Sequence, residues 1–371
     1  MSHINLFQTN AEFTSAYTND YIEPWVSYTM ETSGIAYNKG EEPHDYSQDY
    51  LTFAMLEDDT TVSTSYDDIF FSIDNGETWS NEEITGLNTG DKVLVKANRP
   101  VFAGSIKQAF NVDKTFNVEG NIMSLIYGDD FKNKTTLPPY DPEEHYSGEF
   151  CGAFWDCGII SAENLILPAT TLTTSCYQEM FLVCSQMTIP PTLPATTLAE
   201  NCYNSMFYGC TSLTTAPALP ATTLTENCYG QMFRGCASLT TAPELPATTL
   251  ESSCYQYMFW NCTSLTTAPE LPATTLEKSC YNRMFYGCRS LTAAPELPAT
   301  TLANYCYSGM FNGCTSLNYI KCLATDISAN SCTSGWVNGV ASNGTFVKDA
   351  SMTDWTAGSD GIPNGWTVQD A

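Results

Sequence analysis

In the stretch CYGQMFRGCASLTTAPELPATTL, Cys228 to Leu250, apolar positions recur four apart: Cys228, Met232 and Cys236 form one row, Tyr229 and Phe233 another. That is the i, i+4 relation of one helix face, so the spacing predicts a short helix over about two turns. Gly235 should end it, because the equivalent positions Gly209, Asn261, Gly287 and Gly313 hold the two residue types that best tolerate the left-handed conformation of a helix C-cap. Val183 departs from that rule. Cys236 should then point back inward. Beyond it, β-branched residues and leucines predict strand. Pro243 and Pro246 each remove a ladder donor, which limits this to one or two very short strands.

The pattern returns every 26 residues, with Cys176, Cys202, Cys228, Cys254, Cys280, Cys306 and Cys332 in one register and Cys184, Cys210, Cys236, Cys262, Cys288 and Cys314 in another. Thirteen of the sixteen cysteines belong to these two columns. A fixed period of this length marks stacked units, each completing its neighbour's core. Adjacent copies about 5 Å apart and roughly eight coils would make a rod on the order of 40 Å long. The segment Phe150 to Leu172 copies the pattern loosely, as a first turn, and the repeats extend over 150–332. In 333–371 the period dissolves, and Trp336, Phe346, Trp355 and Trp366 are expected to cap the last coil, whose ladder edge would otherwise be exposed.

Residues 48–132 read as a small all-β domain, with an Asn75-Gly76 hairpin signal in IFFSIDNGETW followed by the β-rich runs DKVLVKANRPVF and GNIMSLIYG. The polar, proline-rich and acidic segment 133–149 reads as a linker. Residues 1–47 are aromatic but aperiodic, and read as an extended or docking segment.

Charge narrows the partners. Forty-one acidic against fourteen basic residues give a net charge of −27, which repels a phosphate backbone, so nucleic acid is not expected as a partner. The opening twenty residues show no basic, then apolar, export signal, and no apolar run of membrane-spanning length follows, so neither secretion by that route nor membrane insertion is expected.

The cysteines look like a site and are read here as core. Absence of an export signal implies folding in a reducing compartment. No CxxC occurs, and His3, His44 and His145 all lie outside the repeats, so no metal or other cofactor is expected. The thiols should be buried and reduced, filling the interior as small apolar groups. Glu244, Glu270 and Glu296 form an acidic column, but periodic copies give carboxylates nearly equal surroundings, whereas an acid and base pair needs unequal ones. With no nucleophilic triad or phosphate loop in the chain, catalysis is not expected.

A more informative column is the variable residue after each Met-Phe or its equivalent: Leu182, Tyr208, Arg234, Trp260, Tyr286 and Asn312. A second variable column, including Tyr257 and Arg283, lies three residues earlier and hence on the same predicted helix face. Variability places both columns outside. Tyr208, Arg234, Tyr257, Trp260, Arg283 and Tyr286 are therefore the candidate binding residues, of types enriched at interface hot spots and able to stack on sugars or hold cations. The competing reading is a surface ladder stabilised by its own cation-π contacts, or a contact within an oligomer.

The copies MFYGCTSLTTAPALPATTL, MFRGCASLTTAPELPATTL and MFNGCTSL resemble the 26-residue bacterial surface-protein repeat of the BspA-like leucine-rich-repeat family, over about 150–332. The resemblance implies a leucine-rich-repeat-like solenoid of short strands and short helices, here preceded by the small all-β domain. It also implies adhesion or recognition at a cell surface, with a glycan or protein as partner. GIPNGWTV, IDNGETW and GNIMSLIYGDDF are similar to segments that accompany these repeats in gut Bacteroidetes proteins and their phages, and YIEPWVSYT resembles the start of phage structural proteins. A virion decoration or fibre protein, contacting other virion proteins, is the alternative expectation.

Overall fold

The computed structural model describes residues 44–97, 109–138 and 148–371. All but residues 44–47 of the segment 1–47, and 139–147 of the connection 133–149, lie outside the described residues. Residues 46–371 form one compact unit. Its regular structure is mostly strand in open sheets, and the one α-helix among the described residues, α1, spans Ser124–Tyr127.

Seven strands precede the repeats: β1 (Leu51–Met55), β2 (Thr60–Thr64), β3 (Ile69–Ser72), β4 (Ile84–Leu87), β5 (Lys92–Ala97), β6 (Phe110–Val112) and β7 (Phe116–Asn121). Leu51, Phe53 and Met55 alternate inward along β1, the period-two pattern of a strand with one face in the core. One sheet runs β3-β5-β1-β7, the other β4-β2-β6. They meet where the rings of Phe53 and Phe110 lie 5.0 Å apart, edge to face. The expected hairpin forms: Phe71 and Ser80 exchange backbone hydrogen bonds across a loop in which Asn75 and Gly76 are both left-handed. Asp74 accepts hydrogen bonds from Ser72 and Thr78 inside that loop, which hold its carboxyl down at about 2.

The segments separated in the sequence as 48–132 and 150–332 share one sheet and one core. A fifth strand, β8 (Leu165–Ile166), belongs to the first repeat and pairs in parallel with β7, Gly120 opposite Leu165. Gly120 is at φ +81°, and a Cβ there would sit 2.0 Å from the Tyr50 carbonyl oxygen, so only glycine lets the chain pass at this junction. Phe110 stacks on Phe154 of the first repeat at 5.5 Å, and Phe154 on Phe181 at 5.4 Å. The loosely matching first copy is thus in register with the rest.

The predicted repeat helix does not form. From Asn227 to Cys236 alternate amides do two different jobs. Those of Cys228, Gly230, Met232, Arg234 and Cys236 each bond the carbonyl three residues back, closing successive turns within the coil. Those of Asn227, Tyr229, Gln231, Phe233 and Gly235 bond carbonyls of the next copy, at Ser252, Cys254, Gln256, Met258 and Trp260. The third residue of every second turn is left-handed, as a type II turn requires: Asn227 at φ 54°, Gln231 at 56° and Gly235 at 79°. Gly235 therefore has the conformation expected of it, in a turn rather than at a helix end. The result is a ribbon of turns in which side chains point in by pairs, Cys228-Tyr229 and Met232-Phe233, and out by pairs. On a helix the same inward set also falls on one face, which is why the spacing of four suggested one. An α-helix satisfies its amides internally, whereas here half of them tie each coil to the next.

Inside, Phe207 and Phe233 stack at 5.7 Å and 3°, Tyr203 and Tyr229 at 5.9 Å and 3°, and the same stacks continue through neighbouring copies. All sixteen cysteines are free and buried. The second cysteine column also donates to the backbone, Cys236 Sγ to the Phe207 carbonyl at 3.1 Å, with the same link at Cys262 and Cys288. On the proline-containing side the strands shrink to single-residue parallel bridges, such as Thr215 to Thr241 to Thr267.

The segment 333–371 does more than cover the last coil. Strands β9 (Tyr319–Cys322), β10 (Thr345–Lys348) and β11 (Thr367–Asp370) form a parallel sheet ordered β11-β10-β9, so the ladder continues through the segment. Trp336, Phe346, Trp355 and Trp366 are all buried, as expected. The Trp336 ring lies 6.2 Å from those of both Tyr307 and Phe311, so the two ring columns meet on it, and it stacks in turn on Trp355 at 5.5 Å. The open ladder edge is moved rather than removed: β11 is exposed along its length and pairs on one side among the described residues.

Candidate functional site

The turn ribbon decides where the variable positions go. In the coils of Trp260 and Tyr286 the residues flanking the inward Met-Phe pair are partly or fully exposed, and a hydrogen bond across the turn holds them together, from the Trp260 amide to the Tyr257 carbonyl at 3.1 Å and from the Tyr286 amide to the Arg283 carbonyl at 3.2 Å. The three-residue relation expected from a helix face therefore holds because of a turn. Stacking the copies then brings all six candidate residues into one strip.

Along the strip, the Arg234 guanidinium carbon lies 5.1 Å from the centre of the Tyr208 ring and 4.4 Å from that of Trp260, and Trp260 is 4.5 Å from Tyr286. The second column joins it: Tyr257 is 5.1 Å from Trp260, and Arg283 is 5.9 Å from Tyr257 and 5.8 Å from Trp260. Arg283 is exposed and the other five are half-buried. Leu182 and Asn312 continue the first column at either end, both half-buried.

Lys92, Lys96, Lys321 and Lys348 pair with Glu119, Asp129, Glu296 and Asp370. Neither strip arginine is ion-paired with a carboxylate among the described residues. Arg234 donates to the Gln231 side-chain oxygen at 2.7 Å, and Arg283 makes a long bond of 3.4 Å to the Tyr257 hydroxyl. Gln231 was missed in the sequence, although it stands 26 residues before Tyr257, so the period alone would have placed it in the strip.

The backbone under the second column is left-handed at Gln231, Tyr257 and Arg283, at φ 56°, 58° and 50°. Non-glycine residues there cost of order 1 kcal/mol or more each, and Gly309 and Gly335 show that the column can also be filled without that cost.

Elsewhere, Glu244 and Glu270 line shallow exposed grooves walled by Pro243, Pro246, Pro269 and Pro272, and Glu296 pairs with Lys321 at 3.0 Å. Among the described residues, no group of three or more His, Cys, Asp or Glu able to hold a metal occurs and no helix is long and apolar enough to cross a membrane.

The structure thus defines a repeated, strand-rich protein carrying an aromatic and guanidinium strip on the outside of its repeats. No protein-family model, curated protein or solved structure matches the chain.

Proposed function

We propose that the stacked copies are a leucine-rich-repeat solenoid of the BspA-like kind, and that the chain is a non-catalytic recognition protein, displayed on a cell surface or a virion. The strip from Tyr208 to Tyr286 binds a cell-surface glycan or protein. One observation carries this reading: six side chains of the types that dominate binding hot spots, drawn from four copies of the repeat, converge on one outward strip. A core accounts for the inward columns, but nothing in the packing of the coils requires tryptophan, tyrosine and arginine at variable outward positions, which elsewhere hold leucine, asparagine or glycine.

The test is binding of the purified chain to intact host cells, comparing the native sequence with Trp260→Ala and Tyr286→Ala. Loss of binding with unchanged thermal unfolding supports the reading. Unchanged binding removes the strip, and copurification with particles without any cell binding favours a structural virion component.

A further inference from the structure

We infer that the strip recognises a glycan bearing an isolated carboxylate sugar, one acidic ring in an otherwise neutral chain. This deepens the proposed recognition role and rests on it. The argument starts from two cations sharing one pair of rings. Arg234 and Arg283 both lie within 6 Å of the centres of Tyr257 and Trp260, with no carboxylate paired to either among the described residues. Arg234 is half-buried and Arg283 exposed; like charges held over the same two rings repel, and an anion between them relieves that repulsion.

The free chemistry of these guanidiniums matches a carboxylate. Each has five in-plane N–H donors, of which Arg234 directs one nitrogen to Gln231 and Arg283 one to Tyr257. Contact with ring faces uses the faces of a guanidinium and leaves its edge, the part that grips a carboxylate through two parallel hydrogen bonds. Beside this edge, Trp260 and Tyr286 form a tilted aromatic platform 4.5 Å between centres, half-buried and apolar, suited to the C–H face of a pyranose.

Net charge selects among anionic ligands. At −27 the chain repels a densely charged polymer, while screening beyond about 8 Å at physiological salt leaves the local field of two arginines in control of a single anion. The fitting ligand therefore carries one carboxylate among neutral sugars.

The experiment titrates the full chain, by ligand-observed NMR, with sialyllactose, with a glucuronate-terminated oligosaccharide, with lactose as neutral control and with a heparin fragment as polyanion. Arg283→Gln and Arg234→Lys are run in parallel. Gln231 already occupies the column of Arg283 at φ 56°, so the first variant is compatible with the backbone, and the second keeps charge but loses the fork. Binding of at least one acidic oligosaccharide, weakened roughly tenfold or more in both variants and in the neutral control, is the expected result. Equal binding of lactose, or stronger binding of heparin, overturns the inference. So does a chain that binds no oligosaccharide yet loses cell binding in Trp260→Ala, which leaves the recognition role standing with a protein as partner. Undiminished cell binding by Trp260→Ala instead removes the recognition strip itself.

Discussion

Arg234 and Trp260 stand 26 positions apart in the sequence and in contact in the fold, the guanidinium carbon 4.4 Å from the ring centre. Both are half-buried, and the contact belongs to the outer surface of two adjacent coils. A cation over a ring at such a partly exposed site is worth about 0.5–1 kcal/mol. Trp260→Ala should therefore lower stability by about 1–2 kcal/mol in urea denaturation, counting its contact with Tyr286, and leave the far-ultraviolet dichroism unchanged. A loss of 4 kcal/mol or more, roughly the scale of a core deletion, would mean that the strip is structural.

Val183 occupies the column otherwise held by Gly209, Gly235, Asn261, Gly287 and Gly313, and adopts the same left-handed backbone at φ 62°. A β-branched residue is strained there, and its side chain is 37% exposed, so little burial offsets the strain. Val183→Gly should raise stability by about 1 kcal/mol, and Gly235→Ala should lower it by a similar amount. The two changes in melting temperature should have opposite signs; equal signs would contradict the turn assignment.

The buried thiols make the chain sensitive to alkali. Burial pushes Cys228 from an ordinary value near 9 up to about 11, Cys306 up to about 12, and the stacked tyrosines above their ordinary 10. In this range the unfolded chain releases protons that the folded one keeps. The resulting stability is fully present below about pH 9 and is lost as pH rises toward the folded values. Tryptophan fluorescence should report cooperative unfolding above about pH 9, steeper than for a chain without such columns. At neutral pH a thiol reagent should find the sixteen cysteines unreactive until the chain is denatured.

Trp336 is fully buried and donates its ring N–H to the Gly361 carbonyl at 2.8 Å, holding the segment beyond 332 against the last repeat. Trp336→Ala should cost about 3–5 kcal/mol. Limited proteolysis should then cut first within 337–371; cleavage starting in the earlier repeats would argue against this tie.

The strip was legible from residue identity and period, because equivalent positions in stacked copies must be neighbours whatever lies between them. Its electrostatics were not. That Arg234 and Arg283 share Tyr257 and Trp260, and that neither meets a carboxylate among the described residues, depends on side-chain directions set by the turns. The continuity of β7 with β8 was hidden for a different reason: a two-residue strand beginning a degenerate copy has no pattern of its own.

By itself, the sequence determined the period, the two buried cysteine columns, the left-handed backbone at Gly235 and the set of variable outward positions. Each follows from local chemistry repeated at a constant interval. Only the tertiary structure decided between helix and turn ribbon. Inward pairs spaced by four satisfy both, and the choice rests on where alternate amides find their acceptors. Those acceptors, such as the Trp260 carbonyl for Gly235, lie in the next coil, where no window of local sequence can see them.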